Sequence, residues 1–185
     1  MARGLSIEID GRQVETLALA FGATEKQLEA SLRSTYNRMG RWLRTRALRG
    51  LSVKLGIQQK ILRSRVKSFR LQGGVGGKGE GAKVWFGLRD IPLIRLNARQ
   101  SGKGVRASGG RYVEGAFIAD YHGSRQVLKR EGAARLPVRI VYAEIADPSN
   151  VYIEDELVGS ASFDNQFFRF LEHELKWRTQ ILKST

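Results

Sequence analysis

Thirteen Lys or Arg residues and no Asp or Glu occupy the stretch from Ala30 to Gly79. Cations at that density can hold a polyanion through its phosphate or carboxylate groups. The bias continues to Arg111 with Lys83, Arg89, Arg95, Arg99, Lys103 and Arg106, against only Glu80 and Asp90. Acids return towards the C-terminus at Glu144, Asp147, Glu154, Asp155, Glu156, Asp164, Glu172 and Glu174. The chain carries +14 overall, with a pI of about 10.6. A basic block beside an acidic one suits a polyanion on one side and a basic or like subunit on the other. A charge run on a helix can also be an ordinary solvated face. Against that reading, soluble surfaces intersperse both signs, and like charges at i,i+4 cost a few tenths of a kcal/mol each.

Other constellations carry less. Gly74-Val-Gly76-Gly-Lys78-Gly79 matches G-x-G-x-x-G, but it follows a predicted helix and precedes a predicted strand. A dinucleotide fingerprint needs the reverse order, so that a helix N-terminus meets the pyrophosphate. A flexible loop is the better reading. His173-Glu174 has Trp177, not a second His, one turn on. With two His and no Cys, no transition-metal site is expected. Glu154-Asp155-Glu156 suits a solvated or subunit-facing patch better than a cation site. A nuclease would need a carboxylate cluster for Mg²⁺, and the acids stand mostly far in sequence from the basic block. The expectation is a protein with no cofactor and no catalytic residues.

The elements that must position these charges follow from periodicity. At 185 residues and 42% hydrophobic, the chain suits a single domain with a proper core. No apolar run approaches the roughly 20 residues of a membrane span, so a soluble protein made in a cytoplasm is expected. Leu5, Ile7 and Ile9 alternate as a short strand closed by Asp10-Gly11. Thr24 and Gln27 form a capping-box pattern for a long helix to about Gly50, with Leu28, Leu32, Tyr36, Met39, Leu43 and Ala47 as its apolar stripe. A second helix is predicted over about Gln58–Phe69, its outer side carrying Lys60, Arg63, Lys67 and Arg70. Two strands follow over Ala82–Leu88 and Ile91–Leu96, joined through Arg89-Asp90. Residues 73–81 and 98–112 read as flexible basic loops. Gly115–Tyr121 and Gln126–Arg130 read as a hairpin turning at His122-Gly123-Ser124, and Leu136–Ile145 as another strand. A possible short helix covers Val151–Val158, and a last helix spans about Phe163–Leu182. The class is α+β: a long N-terminal helix, a mainly antiparallel sheet from residues 82–96 and 115–145, and a C-terminal helix.

Several segments, taken in order, carry a resemblance. They are Gln59-Lys60-Ile-Leu-Arg63-Ser-Arg65-Val-Lys67, then Ala82-Lys-Val-Trp-Phe-Gly-Leu-Arg-Asp-Ile-Pro92-Leu-Ile-Arg-Leu96, Gly115-Ala-Phe-Ile118, Val127-Leu-Lys-Arg130 and Leu136-Pro137-Val138. Together they resemble the minor tail protein Z family of long-tailed phages, related in role to tail-completion proteins at the head–tail joint. The resemblance runs from about residue 55 to 145 and more loosely through the last helix. It departs at Tyr142-Ala-Glu-Ile-Ala-Asp-Pro148-Ser, where such proteins often have a Gly-Pro-Ser type segment. It implies a non-enzymatic virion protein, assembled in the host cytoplasm and sited in the tail near the neck. Such proteins act as homo-oligomeric rings on a sixfold tail. The partners this implies are the tail terminator or tail tube, the head connector and the tape measure, with DNA met non-specifically in the channel.

On this reading Arg41, Arg44, Lys60, Arg63, Lys67 and Arg70, with Lys78, Lys103 and Arg106 from the loops, face DNA in the lumen. Glu154, Asp155, Glu156, Phe167, Phe170 and Trp177 face a neighbouring subunit. The cations have a competing use, as partners of the next subunit's acids. The alternative to a tail protein is a free, sequence-independent nucleic-acid-binding accessory protein.

Overall fold

The computed structural model describes residues 10–69, 83–159 and 161–181. The expected N-terminal strand and the loop at 73–81 therefore lie outside the described residues. In chain order the elements are α1 (Gly11–Ala20), α2 (Glu25–Leu55), the single turn α3 (Gln59–Leu62), β1 (Val66–Phe69), β2 (Lys83–Phe86), β3 (Ile91–Pro92) and a 3₁₀ turn at Leu93–Leu96. Then come β4 (Arg99–Ser101), β5 (Gly104–Ala107), β6 (Arg111–Glu114), β7 (Ala116–Tyr121), β8 (Ser124–Arg130), β9 (Val138–Ile140), β10 (Tyr142–Ala143), α4 (Ala146–Val151), a π-helical stretch at Tyr152–Val158 and α5 (Ser162–Ile181). The class is α+β, and every strand pairing is antiparallel.

The strands do not form the one sheet expected. They make four small ones, ordered β1-β2, β10-β3, β4-β5-β6 and β7-β8-β9. The described residues also gather into two compact units that interleave in sequence. One unit is β-rich and takes Leu48–Arg65 and Gly87–Tyr152. The other is mainly helical and takes residues 10–47, 66–69, 83–86 and 153–181. The long helix α2 contributes residues to both.

In the helical unit, α1 is an element that the periodicity did not announce. Asp10, expected to close a strand, is its N-cap and accepts a hydrogen bond from the Arg12 backbone N–H at 2.9 Å. Helix α2 opens with the expected capping box. The Thr24 N–H donates to Gln27 Oε1 at 2.8 Å, and the Gln27 N–H to Thr24 Oγ1 at 3.4 Å. Its predicted stripe faces inward: Met39, Leu43 and Ala47 are buried, and Leu28, Leu32 and Tyr36 half-buried. Helix α5 answers with buried Phe163, Phe167, Leu171 and Leu175, at four-residue steps.

A polar seam joins α2 to α5. Glu174 accepts from Arg38 at 2.9 Å and from Arg178, and the other Arg178 nitrogen donates to Ser34 Oγ at 3.0 Å. Burial pushes the Glu174 carboxyl up, but the hydrogen bonds and charges of Arg178 and Arg38 outweigh it and hold it below its ordinary value. A depressed folded-state pKa stabilises the fold fully above the unfolded value, and that contribution is lost as pH falls through the folded value. Denaturant midpoints should therefore drop as pH falls below the ordinary carboxylate range. Glu174→Gln should cost about 2 kcal/mol near neutral pH and flatten part of that acid slope. An unchanged slope in the variant would remove Glu174 from the account.

In the β-rich unit, α2 continues past Gly50, the expected C′ residue, because Leu51 and Leu55 extend its buried stripe. The Tyr152 ring occupies the space a Gly50 side chain would need, with its hydroxyl 1.9 Å from an added Cβ. The helix ends instead in a Schellman motif at Gly56 (φ 60°). There the Gly56 N–H donates to Val53 O at 3.2 Å and the Ile57 N–H to Ser52 O at 3.1 Å. The β7–β8 hairpin forms as predicted, through a two-residue turn at His122-Gly123 with both φ angles positive. The expected strand at 136–145 is two short ones, β9 on β8 and β10 on β3. Likewise Ile91–Leu96 is mostly a 3₁₀ turn, and β2 pairs with β1 rather than with the following segment.

Candidate nucleic-acid interface

The predicted helix over Gln58–Phe69, which was to collect four cations on one side, does not form. It stops after one turn at Leu62, and Val66–Phe69 enters a strand pair with Lys83–Phe86. Two terms oppose the helix. It would stack Lys60, Arg63, Lys67 and Arg70 at three- and four-residue steps, where like charges repel. Val66, Val84, Trp85 and Phe86 favour a pleated pair, whose stability comes from cross-strand packing absent from a single-segment reading. Lys60 and Arg63 are exposed at the α3 turn. Lys67 stands opposite Trp85 on β1, its Nζ 5.7 Å from the indole centroid. Arg70 and Lys78 lie outside the described residues.

The other predicted contacts divide. Arg41 is exposed on α2. Arg44 is half-buried and its Nε donates to Val66 O at 2.9 Å, so it braces β1 rather than facing solvent alone. Lys103 and Arg106 are exposed. Of the residues assigned to a subunit interface, Glu154, Asp155 and Glu156 are exposed on the π-helical stretch, and Trp177 is 56% exposed. Phe170 is half-buried with the Arg38 guanidinium 4.5 Å from its ring centroid. Phe167 corrects the assignment. It is fully buried, against Tyr36 at 5.7 Å and Phe168 at 5.4 Å between ring centroids. A broad apolar stripe does not by itself tell a core from an interface, and this part of it is core.

The larger correction concerns residues 98–112, expected to be a flexible loop. They lie mostly in a three-stranded meander, β4-β5-β6, with Val105 fully buried. Its anchor is polar: Gln100 Nε2 donates to Gly104 O at 3.0 Å and Ala116 O at 3.3 Å, while its Oε1 accepts from the Ile118 N–H at 3.3 Å. The register sets Arg99 opposite Arg106, and Arg106 opposite Tyr112. Arg99, which the sequence reading did not single out, stands in this row. The signal for it was the pair of short turns, Gly102-Lys103 and Ser108-Gly109-Gly110, spaced for strands of three and four residues.

The charge distribution changes accordingly. The β-rich unit, Leu48–Arg65 with Gly87–Tyr152, holds sixteen Lys or Arg and only six Asp or Glu, against 32 and 18 in the whole chain. Several of its cations serve the fold. Arg65 donates to Gly87 O at 3.3 Å and to Arg89 O; burial and the neighbouring Arg95 lower its pKa, against Asp90, which raises it. Arg111 Nη1 donates to Ser108 O at 2.8 Å. Arg99 and Arg106, in contrast, form no ion pair with a carboxylate among the described residues. Such a surface can neutralise phosphates. Among the described residues, no group of three or more His, Asp or Glu could hold a metal ion, and no helix is long and apolar enough to cross a membrane. No family model, curated protein or solved structure matches this chain.

Proposed function

We propose that this protein is a non-enzymatic structural component of a long-tailed phage, a tail-completion protein near the head-proximal end of the tail. It meets DNA through its basic surface without reading sequence. The DNA contact is carried by one observation, the concentration of cations in the β-rich unit, with sixteen basic residues against six acids. The tail assignment rests on the ordered segments between about residues 55 and 145 that resemble the minor tail protein Z family. A conduit for DNA needs attraction that is strong in sum and weak at any one base. Backbone contacts alone supply that, because they release counterions and carry no base information. In a homo-oligomeric ring, the acids at Glu154–Glu156 and the exposed Trp177 are the groups offered to a neighbour, with the tail tube and head connector above and below.

Binding to a mixed-sequence DNA duplex should fall steeply with salt, with a log–log slope of about −4 or steeper, and should not distinguish sequences. Native mass measurement, alone and with tail-tube protein, tests the assembly. A ring or a tube complex supports the tail role. A monomer that binds DNA strongly and ignores tail parts would assign it instead as a free accessory protein. Metal-dependent cleavage of the duplex would overturn the non-enzymatic reading.

A further inference from the structure

The exposed face of the β4-β5-β6 meander carries an unusual row. Strand pairing sets Arg99 directly opposite Arg106, and Arg106 directly opposite Tyr112. Residues in register share a face, so the three side chains stand side by side, and Val105 on the other face is fully buried. Directly opposed like charges destabilise a strand pair, and no carboxylate among the described residues neutralises either guanidinium. Arg106 lies over the Tyr112 ring, 5.5 Å from its centroid. The ring is itself held in place: it spreads over Gly104, where an added Cβ would come within 2.9 Å of Cζ and the hydroxyl. Lys103 is exposed in the turn at the end of the same hairpin.

We propose that Arg99 and Arg106 form a clamp for the phosphodiester backbone of duplex DNA, with Tyr112 holding Arg106 in place and Lys103 adding a flanking charge. This deepens the DNA-contact reading above and rests on it. Opposed residues on paired strands have backbones about 5 Å apart, so two long guanidinium side chains rooted there are within reach of one phosphate. Fork geometry suits phosphate oxygens better than a point charge does. The row is rigid because the buried face of the sheet is pinned by Val105 and the Gln100 amide. The ligand therefore meets two arginines that the strand register already sets side by side. It replaces the missing counter-charge, which explains why a repulsive pair is tolerated there.

The test measures anisotropy of a labelled mixed-sequence duplex over a salt series, with the full chain. Arg99→Ala/Arg106→Ala is compared with Arg169→Ala/Lys176→Ala, which removes the same charge from exposed positions on α5, outside the β-rich unit. The clamp variant should lose about tenfold or more in affinity beyond the control, with its salt slope reduced by about two. Arg99→Lys/Arg106→Lys, which keeps the charge and loses the forks, should fall between wild type and the alanine pair. Equal small losses in the alanine pair and its control would overturn the clamp and leave general DNA binding standing. Failure of the wild-type chain to bind duplex at low salt would remove the DNA reading itself, and the clamp with it. If the clamp variant keeps its DNA affinity but loses self-association in native mass measurement, the face belongs to a second copy of the chain and the proposal is wrong.

Discussion

Gly56→Ala should destabilise the β-rich unit by about 3 kcal/mol, from two contributions of similar size. Gly56 ends α2 with φ at 60°, in the left-handed region, which costs a side chain roughly 1–2 kcal/mol. An added Cβ would also come within 2.4 Å of the Gly109 Cα. That neighbour is backbone and cannot rotate aside, so the helix end and the β5–β6 turn must separate, with an overpacking cost of about 1–3 kcal/mol. Gly110→Ala is the matched control. Its φ is 69°, but nothing lies within 4 Å of the added Cβ, so only the backbone contribution remains. Urea denaturation of the two variants separates the effects. Equal midpoint shifts would mean that the close approach of Gly56 to Gly109 is not what demands glycine.

Phe167→Ala should cost about 3–5 kcal/mol, the range for emptying a fully buried aromatic site. The side chain has no exposed area and touches the rings of Tyr36 and Phe168. Trp177→Ala, at a side chain 56% exposed, should change the stability of the chain by less than about 1 kcal/mol. Measuring both stability and association state tells core from interface. A Phe167→Ala variant of normal stability that fails to associate would restore the interface assignment. A destabilised Phe167→Ala beside a Trp177→Ala that associates poorly would place the contact at the exposed ring.

The elements legible in the sequence were those built from local rules. The capping box at Thr24 and Gln27, the stripe from Leu28 to Ala47, the hairpin turning at His122-Gly123, and the last helix all depend on residues within a few positions of each other. Periodicity and turn chemistry report such interactions directly. The α+β class followed from their order, and the +14 charge from counting.

Tertiary structure decided whatever depended on a distant partner. Gly50 resembles a helix stop until Tyr152, about a hundred positions on, fills the space beside it and lets α2 continue to Gly56. Val66–Phe69 continues a helical pattern until Lys83–Phe86 offers it a strand. Residues 98–112 look like a loop because the meander's strands are only three or four residues long. They become a sheet because Val105 is buried and Gln100 ties the hairpin to the neighbouring strand. Phe167 is core because Tyr36 and Phe168 surround it. The location of the candidate DNA contact changed for the same reason. Thirteen cations without an acid in residues 30–79 marked the helices, whereas strand register, which no single segment encodes, set Arg99 against Arg106. Charge is a sum over residues and can be read from the sequence alone, but which charges stand together depends on pairings between residues far apart in the chain.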